Sequence, residues 1–148
     1  DSISCQRCHG GLDFVEPTMG PAFANIGLYN CNGSYPVRDR GQYEHSKNYS
    51  DDGVFRIPTL RNVAITAPYY HDGSGNSLEE VIINYEHRGR NILNGDCIGD
   101  GSIHPNVDSR LKRFQLDGNK RKALIAFLHT LTDTSYLSNP YFLDPFNE

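Results

Sequence analysis

The sequence predicts an all-α domain with long irregular loops, and three observations predict it. Two segments carry apolar residues at helical spacing, and no segment alternates apolar and polar residues as a half-buried strand does. Fourteen Gly and eight Pro interrupt the rest of the chain, which favours loops. The length of 148 residues fits a single domain, so we take residues 1–148 as one unit.

The first predicted helix begins after Ser77. Ser77 and Glu80 have the spacing of a capping box, in which each residue satisfies a free backbone N–H of the first turn. Gly89 is a plausible end of the helix. The apolar residues lie on one helical face, at Leu78, Val81, Ile82 and Tyr85.

The second predicted helix begins near Asp117 and ends around Thr132. Its apolar residues again mark one face, at Leu124, Phe127, Leu128 and Leu131. Residues 133–148 are too aromatic for a free tail, so we expect a packed C-terminal extension. The aromatic residues of this extension are Tyr136, Tyr141, Phe142 and Phe146.

Charge and hydropathy exclude two classes of protein. The formal net charge is −4, whereas a nucleic-acid-binding protein needs a basic surface to neutralise phosphates. No apolar run approaches the roughly 20 residues that span a bilayer. We therefore expect neither a nucleic-acid partner nor a transmembrane segment.

A C-x-x-C-H motif near the start of the chain indicates the cofactor. Cys5 and Cys8 are spaced so that each thiol can add to one vinyl group of a porphyrin, and His9 can then serve as the proximal iron ligand. A thioredoxin-like redox pair would need a βαβ context, which is lacking. A zinc site would need a further Cys or His pair at short spacing. The motif therefore predicts one covalently attached haem c, and with it a cytochrome c-like haem domain.

Cys31 and Cys97 remain after the motif is assigned. They are either two buried thiols or a disulfide, and we favour the disulfide because c-type haem is attached in an oxidising compartment, where disulfides persist. For the same reason we expect a periplasmic or extracytoplasmic location.

The start of the chain is unusual for a c-type cytochrome domain, because such domains have a helix before the haem motif and only Asp1–Ser4 precede Cys5. We expect that this N-terminal helix is missing from the chain and that the last helix exposes much of its apolar face. Either the chain is the later part of a longer protein, or another chain supplies the absent helix.

Several motifs resemble one family of proteins. The sequence Phe55 to Val63 leads into Thr66 to Gly73, and Tyr85 follows in the first predicted helix. Together they resemble the C-terminal haem domain of the bacterial dihaem cytochrome c peroxidase and MauG family. Similar segments cover nearly the whole chain: Pro105 to Asp108, Ala126 to Thr132 and, more weakly, Asn25 to Gly27 with Asp39 to Gly41.

The resemblance implies further cofactors and partners. Complete members of the family carry two haems, one in each domain, with a calcium ion near the interface. With a single C-x-x-C-H motif this chain would hold one haem, and its partner would be an N-terminal haem domain. Thr66 and Pro68 match positions whose carbonyl oxygens contribute to the calcium site, so we expect calcium only in the complete dihaem protein.

The resemblance also points to a distal iron ligand. The position of Tyr85 holds a methionine ligand in the classical peroxidases and a tyrosine in MauG-like members. Tyr85 is therefore the distal candidate, although an aromatic residue on an apolar helix face is more often core. Met19 and His71 are weaker rivals, and His71 is more simply a histidine bonded to backbone. Arg61 is either a partner of a haem propionate or an exposed arginine.

Two classes of function follow. In the first, this haem exchanges single electrons with a partner haem in a peroxide-dependent oxidation, and a redox protein is a further partner. In the second, the chain is a stand-alone electron-transfer cytochrome or the haem subunit of a larger redox complex. A structural haem subunit without redox activity is a weaker third interpretation. We favour the first class, without assigning catalytic residues.

Overall fold

The computed structural model describes residues 3–142. Within this range the helices are α1 (Tyr43–Ser46), α2 (Leu78–Glu86) and α3 (Gly118–Thr130), joined by long loops and short 3-10 turns. Four strands of two residues each form two antiparallel pairs: β1 (Phe23–Ala24) with β2 (Phe55–Arg56), and β3 (Asn91–Ile92) with β4 (Gly99–Asp100).

The all-α prediction is therefore wrong, because two small sheets accompany the helices. Each strand is only two residues long, which is too short for an alternating pattern to appear in the sequence. In β1–β2 the pairing joins segments that lie about thirty residues apart, so it depends on how the loops approach one another. The cytochrome c-like part of the prediction is confirmed by the comparison with a solved structure given below.

The start of α2 is explained by the capping pattern. The Ser77 hydroxyl accepts a hydrogen bond from the Glu80 backbone N–H at 3.2 Å, as predicted. The Glu80 carboxylate accepts from the backbone N–H of Asn76 at 3.0 Å, one residue earlier than in a standard capping box. The side chain of Asp117 caps α3 in the same way, accepting from the Lys120 backbone N–H at 2.9 Å.

The core lies between α2 and α3. Leu78 and Ile82 of α2 are buried with Leu116 and with Leu128 of α3. Leu124 and Leu131 pack against this cluster, so most of the α3 face is covered, in contrast to our expectation. Only Phe127 among the four apolar residues of that face remains exposed, at 47%.

The expected C-terminal extension is described only in part. Two 3-10 turns, Ser135–Ser138 and Pro140–Phe142, follow α3. Tyr141 and Phe142 are 93% and 71% exposed, so these two side chains do not pack against the domain. Phe146 lies outside the described residues, and the packing of the whole extension stays a prediction.

A buried polar network fixes the long loops before α2. The Asn25 amide donates to the backbone carbonyl of Asp52 at 3.0 Å, and its oxygen accepts from the hydroxyl of Tyr35 at 3.1 Å. Arg40 binds the Asp52 carboxylate with two hydrogen bonds, at 2.9 and 2.6 Å. Polar groups removed from water in this way are satisfied by one another, so the loops are held without regular secondary structure.

The predicted disulfide is confirmed. Cys31 and Cys97 are bonded, with their Cα atoms 4.8 Å apart and a sequence separation of 66. None of the helices among residues 3–142 is both long and apolar enough to cross a bilayer.

Candidate haem site

The C-x-x-C-H motif forms a tight turn. Cys5–Arg7 is a 3-10 turn, and the carbonyl of Cys5 accepts hydrogen bonds from the backbone N–H groups of Cys8 at 3.1 Å and His9 at 2.8 Å. Cys5 is exposed and Cys8 is half-buried, and both are free thiols. Partial burial raises the pKa of each thiol, so both stay protonated near neutral pH.

The histidine of the motif is held in one orientation. The Nδ1 atom of His9 lies 3.3 Å from the carbonyl oxygen of Phe14, and because a carbonyl can only accept, the hydrogen sits on Nδ1. Burial lowers the pKa of His9, which favours the neutral imidazole. His9 therefore keeps a lone pair on Nε2, which is the form of histidine that binds iron.

Tyr85 lies in α2 and lines a small cavity together with Tyr70 and Arg90. Burial raises the pKa of its phenol, and ionisation of Tyr70, Cys8 or Cys5 would raise it further. Within residues 3–142 the Tyr85 hydroxyl has no hydrogen-bond partner, unlike the buried phenol of Tyr35.

These features fit a c-type haem. Two free thiols stand one turn apart, the adjoining imidazole is neutral with Nε2 as its acceptor, and the phenol of Tyr85 has no hydrogen-bond partner among residues 3–142. This is the donor set for two thioether bonds, a proximal nitrogen and a distal oxygen.

The remaining predicted site residues lie elsewhere. The Nε of Arg61 pairs with the Asp13 carboxylate at 2.9 Å on the surface, next to the loop that follows His9. The His71 ring stacks on Phe55 with 3.8 Å between ring centres. The propionate role of Arg61 and the cofactor role of His71 stay predictions.

The calcium candidates lie in an exposed loop. The Thr66 hydroxyl donates to the carbonyl of Val63 at 3.2 Å, and Pro68 is exposed. No group of three or more His, Cys, Asp or Glu side chains suited to a metal ion occurs among residues 3–142. The calcium role of Thr66 and Pro68 stays a prediction that involves a second domain.

Two residues near the site were missed by the sequence analysis. Tyr70 lines a small cavity with Tyr85, and its hydroxyl accepts from the Asn84 amide at 2.6 Å. Arg110 lies close enough to Cys8 for its charge to lower the pKa of that thiol against the effect of burial.

Arg110 ties the site to a distant loop. Its guanidinium donates to the carbonyls of Met19, Pro21 and Phe23 at 2.8 to 3.0 Å, and to both carboxylate oxygens of Asp108. The Asp-x-Arg spacing of residues 108–110 is the one local sequence signal for these hydrogen bonds, because the loop that Arg110 binds lies about ninety residues away in sequence.

Two curated proteins illustrate the similarity of this chain to known sequences. The chain is 35% identical over 100 residues to the cytochrome-c peroxidase IdrP1 of Denitromonas iodatirespirans, which covers 68% of this chain and 23% of that protein. It is 29% identical over 127 residues to the methylamine utilization protein MauG of Methylorubrum extorquens, which covers 86% of this chain and 30% of that protein. The chain thus spans about a quarter of the length of the curated relatives it matches. None of the models of protein families matches it.

A solved structure shows the same fold. It is described as a MauG-like protein associated with microbial copper homeostasis, and it superposes with a TM-score of 0.88 at 39% identity. The match covers 96% of this chain and 43% of that one. On these similarities in sequence and structure, the chain belongs to the cytochrome c peroxidase and MauG family, whose cofactor is c-type haem.

Proposed function

We propose that this chain is the C-terminal haem domain of a dihaem member of the family, and that its single haem c exchanges electrons one at a time with a partner haem. The observation that carries the proposal is the C-x-x-C-H turn, in which Cys5 and Cys8 are free thiols and the Nδ1 atom of the adjoining His9 is held by the carbonyl of Phe14. Peroxide-dependent oxidation by the complete protein is part of the same proposal, by similarity to its relatives.

The residues of the motif would hold the cofactor. The thiols of Cys5 and Cys8 would hold the haem through two thioether bonds, each made by addition of S–H across one vinyl group. His9 offers Nε2 because Nδ1 is engaged with Phe14. When bound, haem iron supplies one-electron redox chemistry.

Tyr85 would set the distal side. Burial alone keeps its phenol protonated, since it raises the pKa. A cation beside the phenol acts in the opposite direction and favours loss of the proton. A phenolate carries negative charge, so it stabilises the more positive, oxidised state of the site and lowers its reduction potential. A site that stabilises its oxidised state in this way suits an oxidising enzyme better than a high-potential electron shuttle.

The proposed location is periplasmic or extracytoplasmic. The bond between Cys31 and Cys97 supports an oxidising compartment, which is also where thioether attachment of haem takes place. The proposed partners are an N-terminal haem domain and a redox protein. Calcium at Thr66 and Pro68 belongs to the complete dihaem protein.

A spectroelectrochemical titration of the protein, purified with its haem attached, tests the proposed function. We expect one reversible one-electron transition at low potential. A haem that undergoes no reversible reduction would contradict electron transfer as the function.

A further inference from the structure

Tyr29 is a tyrosine with a ready proton acceptor. Its hydroxyl donates to the Asp72 carboxylate at 2.6 Å, which is short for a hydrogen bond between oxygen atoms. Tyr29 also lines an open groove together with Ser74, Arg90 and Asn91. The phenol therefore combines a strong hydrogen bond with access from solvent.

The acceptor is held in its ionised form. Ser74 donates to the other oxygen of Asp72 from its backbone N–H at 3.0 Å and from its hydroxyl at 2.8 Å. Burial opposes the charge on Asp72, but the hydrogen bonds from Tyr29 and Ser74 outweigh it and hold the pKa below its ordinary value. Near neutral pH the carboxylate is free of a proton and can take one.

Arg90 connects this pair to the space beside Tyr85. Its guanidinium carbon lies 4.7 Å from the centre of the Tyr29 ring, and one of its nitrogens lies 3.6 Å from the Asp72 carboxylate. Arg90 also lines the cavity that Tyr70 and Tyr85 line. Arg90 therefore joins the cavity beside Tyr85 to the groove beside Tyr29.

Tyr70 has a fixed position in the lining of this cavity. A Cβ atom on Gly75 would lie 2.7 Å from the Tyr70 ring, so only glycine allows the ring to occupy this position. The chain contains nine tyrosines and no tryptophan, which leaves tyrosine as its readily oxidised aromatic residue.

We propose that Tyr29 is a proton-coupled redox residue, which gives one electron to a one-electron oxidant and its phenolic proton to Asp72. The O–H bond of Tyr29 breaks, a new O–H bond forms on Asp72, and the oxidant is reduced by one electron. The product is a neutral phenoxyl radical beside a neutral carboxylic acid. An electron-rich aromatic reductant in the groove returns the electron, and Asp72 returns the proton. This inference rests on the proposed function in one respect only, which is the identity of the one-electron oxidant in the natural protein.

The test uses a chemical oxidant in place of that source. A ruthenium(III) polypyridyl complex is generated by a laser flash in a solution of the ferric holoprotein, and the protein radical is trapped by rapid freezing for electron paramagnetic resonance. We expect a tyrosyl signal that Tyr29→Phe removes. Asp72→Asn keeps the phenol but slows formation of the signal by about a hundredfold, the lower end of what a positioned proton acceptor contributes.

Tyr43→Phe is the matched control. The Arg40 guanidinium carbon lies 3.8 Å from the centre of the Tyr43 ring, as Arg90 lies over Tyr29, but within residues 3–142 the Tyr43 hydroxyl has no carboxylate partner. The control should therefore retain the full signal. An equal signal in Tyr29→Phe and the wild type, or an unchanged rate in Asp72→Asn, would overturn the proposal. Because the oxidant is added in solution, this result is independent of the haem titration that tests the proposed function.

Discussion

The Nδ1 atom of His9 hydrogen-bonds to the carbonyl oxygen of Phe14, five residues further along the chain, at 3.3 Å. The intervening loop is closed by two backbone hydrogen bonds between Gly10 and Glu16, at 3.0 and 3.1 Å. The orientation of the imidazole thus depends on the shape of a short loop that the haem motif itself begins. This relationship makes the loop a part of the haem site.

The first prediction concerns the glycine that closes this loop. A Cβ atom at Gly10 would lie 2.7 Å from the Thr18 side chain and 2.8 Å from the Glu16 carbonyl, so Gly10→Ala forces the loop apart. We expect a loss of about 1–3 kcal/mol in the free energy of unfolding, measured by urea denaturation of the holoprotein. Gly118→Ala is the control, because a Cβ atom there meets nothing within 4 Å. Equal stability of the two variants would contradict the close packing of the loop.

The second prediction concerns the disulfide. Replacing both Cys31 and Cys97 by serine removes a bond that spans 66 residues, so the unfolded chain regains its conformational freedom. The chain-entropy model gives a loss of about 4 kcal/mol in the free energy of unfolding. Urea denaturation of the double variant measures this loss, and the wild type treated with a reductant should unfold at a similar urea concentration. A double variant as stable as the oxidised wild type would show that the bond adds nothing.

The third prediction concerns a buried carboxylate. Glu86 of α2 accepts hydrogen bonds from the Arg121 guanidinium of α3, the shorter at 2.8 Å, and from the backbone N–H of Leu116. Burial opposes the charge on Glu86, but these hydrogen bonds outweigh it and lower its pKa. Glu86→Gln should therefore cost about 1–3 kcal/mol of unfolding free energy near neutral pH.

The pH dependence of this effect has a definite sign. Because the folded pKa of Glu86 is depressed, its stabilising effect is complete above the unfolded value of about 4.3 and is lost as the pH falls through the folded pKa. The difference in stability between the wild type and Glu86→Gln should shrink in that acidic range. Glu79→Gln is the control, since Glu79 is an exposed neighbour of the same Arg121. A difference that grows in acid would contradict the sign of the pKa shift.

The fourth prediction concerns Tyr85. Tyr85→Phe removes the oxygen that we place on the distal side of the haem, while the aromatic ring remains. We expect a changed ferric absorption spectrum, a higher reduction potential and binding of cyanide to the opened position. Tyr70→Phe leaves the Tyr85 phenol in place, so it should keep the wild-type spectrum and bind no cyanide. If Tyr85→Phe behaves in the same way as Tyr70→Phe, Tyr85 is a core residue and not a ligand.

Sequence patterns predicted those parts of the fold that depend on residues close together in the chain. The cap at Ser77 and the start of α3 near Asp117 each depend on residues within four positions of one another. The bond between Cys31 and Cys97 was predicted because the haem motif accounts for the other two cysteines.

Long-range contacts account for what the sequence analysis missed. The pairing of β1 with β2 joins segments far apart in sequence, and so does the hydrogen bond from Arg110 to the carbonyl of Met19. Neither contact produces a periodic pattern in the sequence. Tyr70 belongs to a segment quoted for its family resemblance, but its place beside Tyr85 depends on the path of the loop before α2. The covered face of α3 was missed because Leu116 and α2 supply the partners that we had assigned to an absent helix.

Covalent attachment of haem tests the central claim most directly. The holoprotein, matured in a host that attaches c-type haem, is extracted with acidified acetone, and the intact mass of the remaining protein is measured with a tryptic map of the motif. We expect the haem to stay with the protein, the mass to exceed that of the chain by one haem, and the haem-bearing peptide to contain Cys5, Cys8 and His9. Haem that passes into the organic phase, with both cysteines recovered as free thiols, would contradict the account.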